Sequence, residues 1–401
     1  MPQSQAAALV IGFSIQGLAI ARALSRRGIP VYALERNRRI PSVRTRYAKV
    51  MFTDRIHGRD LIETLKEIRS TLPHDEVVLF AASDKTVRAV GQFWAELAPF
   101  YRLSWEQSAG LVLDLSVKSN LPALCEAAGV AYPKTRVIGT EQDLWLAESL
   151  RPPLIVKPAS PPGPFKAVVV QNMDGLRKLL DAHPGTRPLV VQEWIEGGDE
   201  TLYFCTLFMD RGRELARFTG RKIRSSPTGL GRGVVFETHW EPPIYEASRR
   251  FVSQLDLCGL ISLEFKRDPH GHFWFIEPNA GRTEYCVDMV LQGGVDVAYL
   301  EFCYALGRSV EPGPDRDPSL WREVVWCDTE REPFCYWSLV LHERSFRPHG
   351  KRPVFPFLGH RDPMPVVWAG AQLLRNMGRS AIGRITRALG RPGRVAPIAT
   401  E

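Results

Sequence analysis

The 401-residue sequence predicts a mixed α/β protein, in which a parallel α/β domain is followed by two α+β subdomains. Residues 6–35 give a strand, a glycine turn, a helix and a second strand, which is the pattern of a βαβ unit. Short β-branched runs between residues 153 and 224 are separated by turn residues, as in antiparallel sheets. Two alternating segments flank the turn at 269–271 and predict a hairpin.

Changes in this pattern along the chain predict the domain boundaries. The segment DEVVLFAASDKTVRAVGQF repeats the strand and helix order of the first unit, with Asp84 as the expected helix cap. Antiparallel patterns begin after it, and a proline- and tryptophan-rich part ends the chain. The predicted divisions are 1–105 for the parallel domain, 106–310 for the antiparallel part with subdomains at about 120–195 and 196–310, and 311–401 for a C-terminal extension.

The net charge of +8 is unevenly distributed along the chain. Six arginines and no acid lie between Arg375 and Arg394, whereas the middle of the chain mixes both signs. This distribution argues against a nucleic-acid partner. The basic segment could lie on an anionic membrane, but its apolar face is short, and a solvated terminus is favoured.

Cysteine usage indicates a reducing compartment. The seven cysteines are scattered, odd in number and never spaced as CxxC, so neither a disulfide framework nor a zinc site is expected. No run reaches the roughly 18 apolar residues of a membrane span, and no basic region precedes the first apolar run. We therefore expect a cytoplasmic protein, with a homodimer as one alternative for its assembly.

The glycine turn after the first strand raises the question of a dinucleotide. GFSIQG lacks the central glycine of the dinucleotide fingerprint, so a structural turn or a contact to a substrate group is favoured over NAD or FAD. Gly12, Gly17 and Asp84 are candidates for the floor of a substrate site.

The predicted hairpin carries the sharpest chemical signal. Glu264 lies near the end of one strand, and Glu277 and Asn279 lie two apart on the next, hence on one face. Magnesium takes hard oxygen ligands, usually one or two carboxylates together with substrate phosphates. A magnesium site is thus predicted, and the alternative is a set of ordinary polar groups at strand ends.

Two further segments suggest a nucleotide site. Lys157 ends a short strand before a loop that contains Gly163 and Lys166, which places cations beside backbone suited to phosphate. The segment VVQEWIEGGDE ends another strand, and Trp194 and Ile195 could form apolar walls for a base.

The order of these segments resembles the ATP-grasp superfamily. The matching pieces are VKSNLPALCEAAGVAYP, LIVKP, VVQEWIEGGDE, FTGRKIR, LEF and FIEPNAGR, within a resemblance that covers roughly residues 1–310. It implies a pre-ATP-grasp domain followed by an ATP-grasp fold. The run EPNAGRTEY, with ASDKTV and DPMPVVW, is most similar to a branch of carboxylate–amine ligases that includes D-aspartate ligase and often accompanies polysaccharide biosynthesis.

The resemblance implies roles for individual residues. Lys118 and Lys157 would contact the nucleotide phosphates, Glu193, Trp194 and Ile195 the adenine, Glu200 the ribose, and Glu264, Glu277 and Asn279 Mg²⁺ or Mn²⁺. Arg282 would steady the transferring phosphoryl group, although it stands three residues after the asparagine where many family members have a spacing of two.

A cationic strand end precedes the glycine-rich loop that follows residue 225. Arg221, Lys222 and Arg224 form it, and binding of phosphate and carboxylate is favoured over a solvated edge strand. Lys157, Lys222 and Arg282 are the predicted catalytic residues, and Arg224 is predicted to contact the nucleotide. The predicted function is ATP-dependent amide formation between a small-molecule carboxylate and an amine. The alternatives are a non-catalytic nucleotide-binding regulator and an NAD- or FAD-dependent oxidoreductase.

Overall fold

The computed structural model describes residues 6–160, 163, 165, 167–229, 231–310, 317–342, 350–359 and 361–388. Its first domain is a parallel sheet in the order β3-β2-β1-β4, which confirms the predicted parallel α/β unit. The strands are β1 (Ala7–Ile11), β2 (Val31–Glu35), β3 (Lys49–Phe52) and β4 (Val77–Ala81). The helices are α1 (Ile15–Arg26), α2 (Gly58–Arg69), α3 (Asp84–Gln92) and α4 (Trp94–Leu97).

The glycine turn between β1 and α1 allows helix and strand to pack closely. Gly12 has a φ of +88°, a conformation that favours glycine. A Cβ on Gly17 would lie 2.6 Å from the Gly12 carbonyl oxygen, so only glycine fits there. The turn is therefore built for tight packing.

The N-cap of the helix after β4 lies one residue earlier than expected. Ser83, not Asp84, is the N-cap of α3, and its Oγ accepts a hydrogen bond from the Thr86 backbone N–H. Asp84 occupies the first helical position, where a carboxylate also complements the helix dipole. Its side chain is consequently available for contacts outside the helix.

A small antiparallel sheet in the order β5-β8-β6-β7 forms the next unit. Its strands are β5 (Thr135–Ile138), β6 (Leu154–Pro158), β7 (Val168–Val170) and β8 (Leu189–Glu193). Helices α5 (Ala109–Leu115) and α6 (Leu121–Ala127) precede it, and α7 (Met173–Ala182) connects β7 to β8. Apolar side chains from β6, β8 and α7 form a separate small core, so this unit folds around its own interior.

The large sheet has seven strands in the order β13-β12-β9-β10-β11-β14-β15. Its strands are β9 (Leu202–Asp210), β10 (Arg213–Ser226), β11 (Arg232–Thr238), β12 (Cys258–Arg267), β13 (Phe273–Ala280), β14 (Val324–Cys327) and β15 (Arg352–Val354). The helices are α8 (Pro242–Ser253), α9 (Val287–Gly293), α10 (Val297–Ala305), α11 (Cys335–His342) and α12 (Met364–Ala388). The predicted hairpin is confirmed as β12 and β13, and two strands from beyond residue 310 complete the sheet.

The first domain and the large sheet share one hydrophobic core. Leu9 of β1 and Leu79 of β4 belong to the same buried cluster as Leu263 and Phe275 of the hairpin. The Gln16 side chain adds a polar contact across this junction, since its Nε2 donates to Thr283 Oγ1 at 2.9 Å. The hairpin is consequently fixed against the first domain. No helix within the described ranges is long and apolar enough to cross a membrane.

A buried carboxyl at this junction makes stability depend on pH. Glu301 on α10 accepts a hydrogen bond from Ser104 Oγ at 2.9 Å, and burial raises its pKa from 4.5 to about 7. The folded chain thus keeps a proton that the unfolded chain releases near pH 4.5, so stability falls as the pH rises from about 4.5 to 7.

We expect Glu301→Gln to remove this dependence, because the amide is neutral at every pH. At about 1.4 kcal/mol for each pH unit, the variant should gain on the order of 3 kcal/mol at pH 8 and little at pH 4.5. Urea unfolding of both proteins at the two pH values measures the difference. An equal change in the free energy of unfolding at both would contradict the titration of Glu301.

Candidate active site

A cavity of about 720 Å³ lies between the small sheet and the large sheet. Its walls come from β6, β8, the hairpin and the segment before α6, with Ile155, Val169 and Ile276 among the apolar contributors. Such a volume, lined by apolar groups and a few charged side chains, is typical of a site for a small-molecule ligand.

The hairpin brings together the predicted metal-binding side chains. Glu264 stands directly opposite Glu277 in the register of β12 and β13. Asn279 lies on the same face as Glu277, and its Nδ2 donates to Glu264 Oε1 at 3.1 Å. Burial, followed by the charges of Glu277 and Glu284, raises the pKa of Glu264 to about 7. Two carboxylates placed this close are an environment that a cation would stabilise.

Two predicted lysines line the cavity near these acids. Lys118 Nζ lies 3.0 Å from Glu277 Oε2, and this charge is the main cause that raises the pKa of Lys118. The Lys118 backbone N–H also donates to the Ala159 carbonyl at 2.8 Å, which ties its segment to the end of β6. Lys157 is 8% exposed on β6 and lines the same cavity.

Arg282 lies between the hairpin and the first domain. Its guanidinium donates to Asn279 Oδ1 at 2.6 Å and to the Asp84 carboxylate. Gly281, with a φ of +74°, turns the chain sharply before it. Burial alone would lower the pKa of Arg282, but the carboxylates of Asp84 and Glu284 raise it. Although Arg282 stands three residues after Asn279, its guanidinium therefore still contacts the Asn279 side-chain amide.

Residues 193–195, predicted to contact the adenine and called the hinge below, line the cavity. Trp194 and Ile195 follow β8 and line the cavity, as does Glu193. The Glu193 Oε1 accepts a hydrogen bond from the Arg151 backbone N–H at 3.0 Å. Lys266 Nζ lies 4.0 Å from the centre of the Trp194 ring, a cation–π contact between the hinge and β12. Burial and the nearby Lys222 charge lower the pKa of Lys266 to about 8.

No protein-family model matches the chain. Among curated proteins, D-aspartate ligase from Enterococcus faecium (strain Aus0004) is 23% identical over 273 residues, covering 61% of this chain and 65% of the relative. The match therefore spans less than two thirds of that protein.

Solved structures match a larger share of the chain. An ADP complex of N5-carboxyaminoimidazole ribonucleotide synthetase has a TM-score of 0.61 and 12% identity over 80% of this chain and 81% of that one. The biotin carboxylase domain of the 2-oxoglutarate carboxylase from Hydrogenobacter thermophilus has a TM-score of 0.64 and 14% identity over 81% and 74%. Both are ATP-grasp enzymes. The chain has the ATP-grasp fold. The resemblance seen in the sequence is confirmed at this level.

Lys222, predicted as part of a cationic strand end, lines the cavity between the small and large sheets, which is called the cleft below. It is 8% exposed, and its Nζ lies 3.1 Å from Asp199 Oδ1. Burial alone would raise the pKa of Asp199, but Lys222 and hydrogen bonds from Ser225 more than offset this and lower it. Asp199 was not predicted as a site residue, because the motif assigned the ribose contact to the neighbouring Glu200.

Two of the predicted nucleotide contacts, Glu200 and Arg224, are not among the described residues that line the cleft. Glu200 is exposed in the short turn before β9. Arg224 turns away toward α11, where its guanidinium lies 3.4 Å from Ser338 Oγ and 4.0 Å from Glu332. Nearby, Arg221 forms an ion pair with Glu237. Gly163 does line the cleft, whereas Lys166 lies outside the described residues.

A second cavity of about 390 Å³ adjoins the first. The two cavities share Asp84, Lys222, Glu264, Glu277 and Asn279, so the acidic set lies at their boundary. Ser14 and Gln16 of the first domain line it, as do Arg232, Glu284, Tyr285 and Arg331, which the sequence had not singled out. Gly12 and Gly17 shape the neighbouring turn but do not line this cavity within the described residues.

The possible metal ligands at the boundary between the cavities are too few to hold a metal ion by themselves. They suit magnesium, which also takes ligands from phosphate and water. Within the described ranges, no group of three or more His, Cys, Asp or Glu side chains could hold a metal ion. Glu264, Glu277 and Asn279 supply two carboxylates and one amide oxygen at the boundary between the cavities. Magnesium characteristically combines one or two such carboxylates with phosphate oxygens and water, so the residues fit an ion that arrives with a nucleotide.

Proposed function

We propose that the chain is an ATP-dependent ligase that activates a carboxylate as an acyl phosphate and joins it to an amine. The observation that carries this proposal is the position of Glu264 and Glu277 at the boundary between two cavities. A phosphoryl group must pass from a nucleotide to a second substrate at one point, and magnesium would act at that point. The curated relative is named D-aspartate ligase, and solved neighbours hold ADP or its magnesium salt.

The larger cavity would hold ATP. Trp194 and Ile195 offer apolar surface for adenine at one end, and Lys118 and Lys157 offer charge for phosphates at the other. Glu264, Glu277 and Asn279 would hold magnesium, which would neutralise phosphate charge. The pairing of Lys118 with Glu277 keeps both charges compensated before nucleotide and metal arrive.

The chemistry needs little from the protein beyond binding and charge. A substrate carboxylate oxygen attacks the terminal phosphorus of ATP, the bond to ADP breaks, and an acyl phosphate forms. The amine then attacks the acyl carbon, phosphate leaves, and the amine loses a proton. Lys157, Lys222 and Arg282 would stabilise charge on the transferring group, while the small sheet would exclude water from the acyl phosphate.

The amine acceptor and the setting of the reaction are further parts of the proposal. We propose an amino acid as the carboxylate, in keeping with the name of the curated relative, and a polysaccharide or cell-envelope precursor as the acceptor that it decorates. All seven cysteines are buried and unpaired, which supports a reducing cytoplasm as the location.

An oxygen-transfer experiment tests this function. Pairs of carboxylates and amines are screened with Mg-ATP for phosphate release, and an active carboxylate is then supplied with ¹⁸O in its carboxyl group. We expect one labelled oxygen in the released phosphate, because the carboxylate oxygen stays with phosphorus. Unlabelled phosphate would contradict the acyl-phosphate step, and bound ATP without any ADP release would favour a nucleotide-binding regulator.

A further inference from the structure

Two guanidinium groups lie over one aromatic ring in the smaller cavity. The Arg232 guanidinium lies 5.1 Å from the centre of the Tyr285 ring, and the Arg331 guanidinium lies 4.6 Å from the same centre. All three side chains line the cavity. Two like charges are thus held against one ring, beside a space large enough for a small molecule.

The positions of Tyr285 and Arg331 are fixed by one buried acid. Asp328 follows β14 and is fully buried. Its Oδ2 accepts from Tyr285 Oη at 2.8 Å and from Arg331 at 2.7 Å, and its Oδ1 accepts from the backbone N–H of Glu330 at 3.0 Å. The guanidinium of Arg331 therefore faces the cavity from a rigid support rather than from a loose loop.

Four cationic and four acidic side chains line the cavity, and three of the four cations form ion pairs. Lys222 pairs with Asp199, Arg282 with Asp84, and Arg331 with Asp328. Among the described residues, the Arg232 guanidinium forms no ion pair; it lies over the Tyr285 ring, and its charge acts on Asp328. Burial and the charge of Arg232 lower the pKa of Arg331 to about 10, which indicates that the two cations act on each other. An anion placed between them would relieve this repulsion.

We infer that the smaller cavity binds a carboxylate substrate that carries a second anionic group, and that Arg232 and Arg331 hold that second group. The reacting carboxylate would lie toward Glu264 and Glu277, where the two cavities meet. The second group is a carboxylate or a phosphate, since a guanidinium binds both in the same way. This inference rests on the proposed function, and it assigns substrate selection in part to Arg331, which lies between β14 and α11.

The experiment compares probes that differ only in the second charge. Succinate and glutarate represent dicarboxylates, 3-phosphoglycerate represents a phosphorylated carboxylate, and butyrate and pentanoate are matched monocarboxylates. ADP release is measured with the full chain, with Arg232→Met and Arg331→Lys, and with Arg250→Met as a control on the exposed face of α8. Each probe is also titrated calorimetrically in the presence of Mg-ADP, which reports binding without turnover.

For the unaltered chain we expect a dianionic probe to bind at least ten times more tightly than its monocarboxylate match. Arg232→Met should raise KM and Kd for that probe about 10- to 100-fold and leave those of the match within twofold, because one charge-assisted contact is lost. Arg331→Lys keeps the charge and should lose less than Arg232→Met. Arg250→Met should behave as the unaltered chain.

The two measurements, ADP release and calorimetric binding, separate this inference from the proposed function. If dianionic probes bind through Arg232 but the screen of carboxylate and amine pairs finds none that releases ADP, the proposed function fails and the anion site stands. If the unaltered chain and Arg232→Met bind dianionic and monoanionic probes with the same preference, the anion site is refuted whatever the turnover. The preferred dianion, dicarboxylate or phosphorylated acid, identifies the second group.

Discussion

The Glu277→Gln variant should release ADP on the order of 10³-fold more slowly than the unaltered chain, because loss of the carboxylate proposed to hold magnesium would remove several kcal/mol of charge stabilisation. Glu277 stands opposite Glu264 at the boundary of the two cavities, where phosphoryl transfer would occur. Gln keeps the size of the side chain, so the hairpin should stay folded. ADP release under saturating Mg-ATP, with a coupled assay, measures the effect.

Glu323→Gln provides the matched control, since Glu323 is an exposed acid just before β14. It should keep full activity. Because Glu277 also pairs with Lys118 at 3.0 Å, thermal unfolding must be recorded for both variants to separate loss of chemistry from loss of structure. Undiminished ADP release from folded Glu277→Gln would refute the assignment of magnesium to this hairpin.

The Lys157→Met variant should weaken ATP binding about 10- to 100-fold and leave adenosine binding unchanged. Its ammonium is buried at the end of β6 in the larger cavity, and a charge-assisted contact to phosphate contributes about 1.5–3 kcal/mol. Met preserves most of the length and apolar character of the side chain. Calorimetric titration with ATP, ADP and adenosine gives the three affinities.

Lys178→Met on the exposed face of α7 controls for loss of positive charge in the same subdomain. It should bind all three ligands normally. An equal loss of ATP and adenosine affinity in Lys157→Met would mean that Lys157 supports the shape of the cleft instead of contacting phosphate. Loss confined to the phosphorylated ligands would support the predicted role.

Local patterns were sufficient to predict many elements of the fold, but not β14 and β15 beyond residue 310. The first βαβ unit, the short strands of the small sheet and the hairpin all lie where hydrophobic alternation and turn residues predicted them. The hairpin also brought Glu264, Glu277 and Asn279 onto one face, because strand periodicity determines side-chain direction. Features encoded by a few neighbouring residues were therefore accessible from the sequence.

Contacts between distant segments were not accessible in this way. Arg282 meets Asp84 from nearly two hundred residues away, a separation that no local period encodes. Lys266 against Trp194 and Arg331 against Tyr285 are likewise tertiary contacts between different elements. Glu200 and Arg224 show the converse, since position within a motif did not determine whether a side chain faces the cleft.

The strands beyond residue 310 have a consequence for dividing the chain. In the large sheet β14 covers the outer side of β11, with Val235 opposite Cys327 and Phe236 opposite Trp326. A fragment that ends at residue 310 would leave β11 as an open edge, with a row of unsatisfied backbone N–H and C=O groups beside apolar side chains. Such an edge recruits strands from other molecules, so the shortened protein would tend to aggregate. The strands β14 and β15 thus protect the large sheet from self-association, although none of their residues lines the cleft.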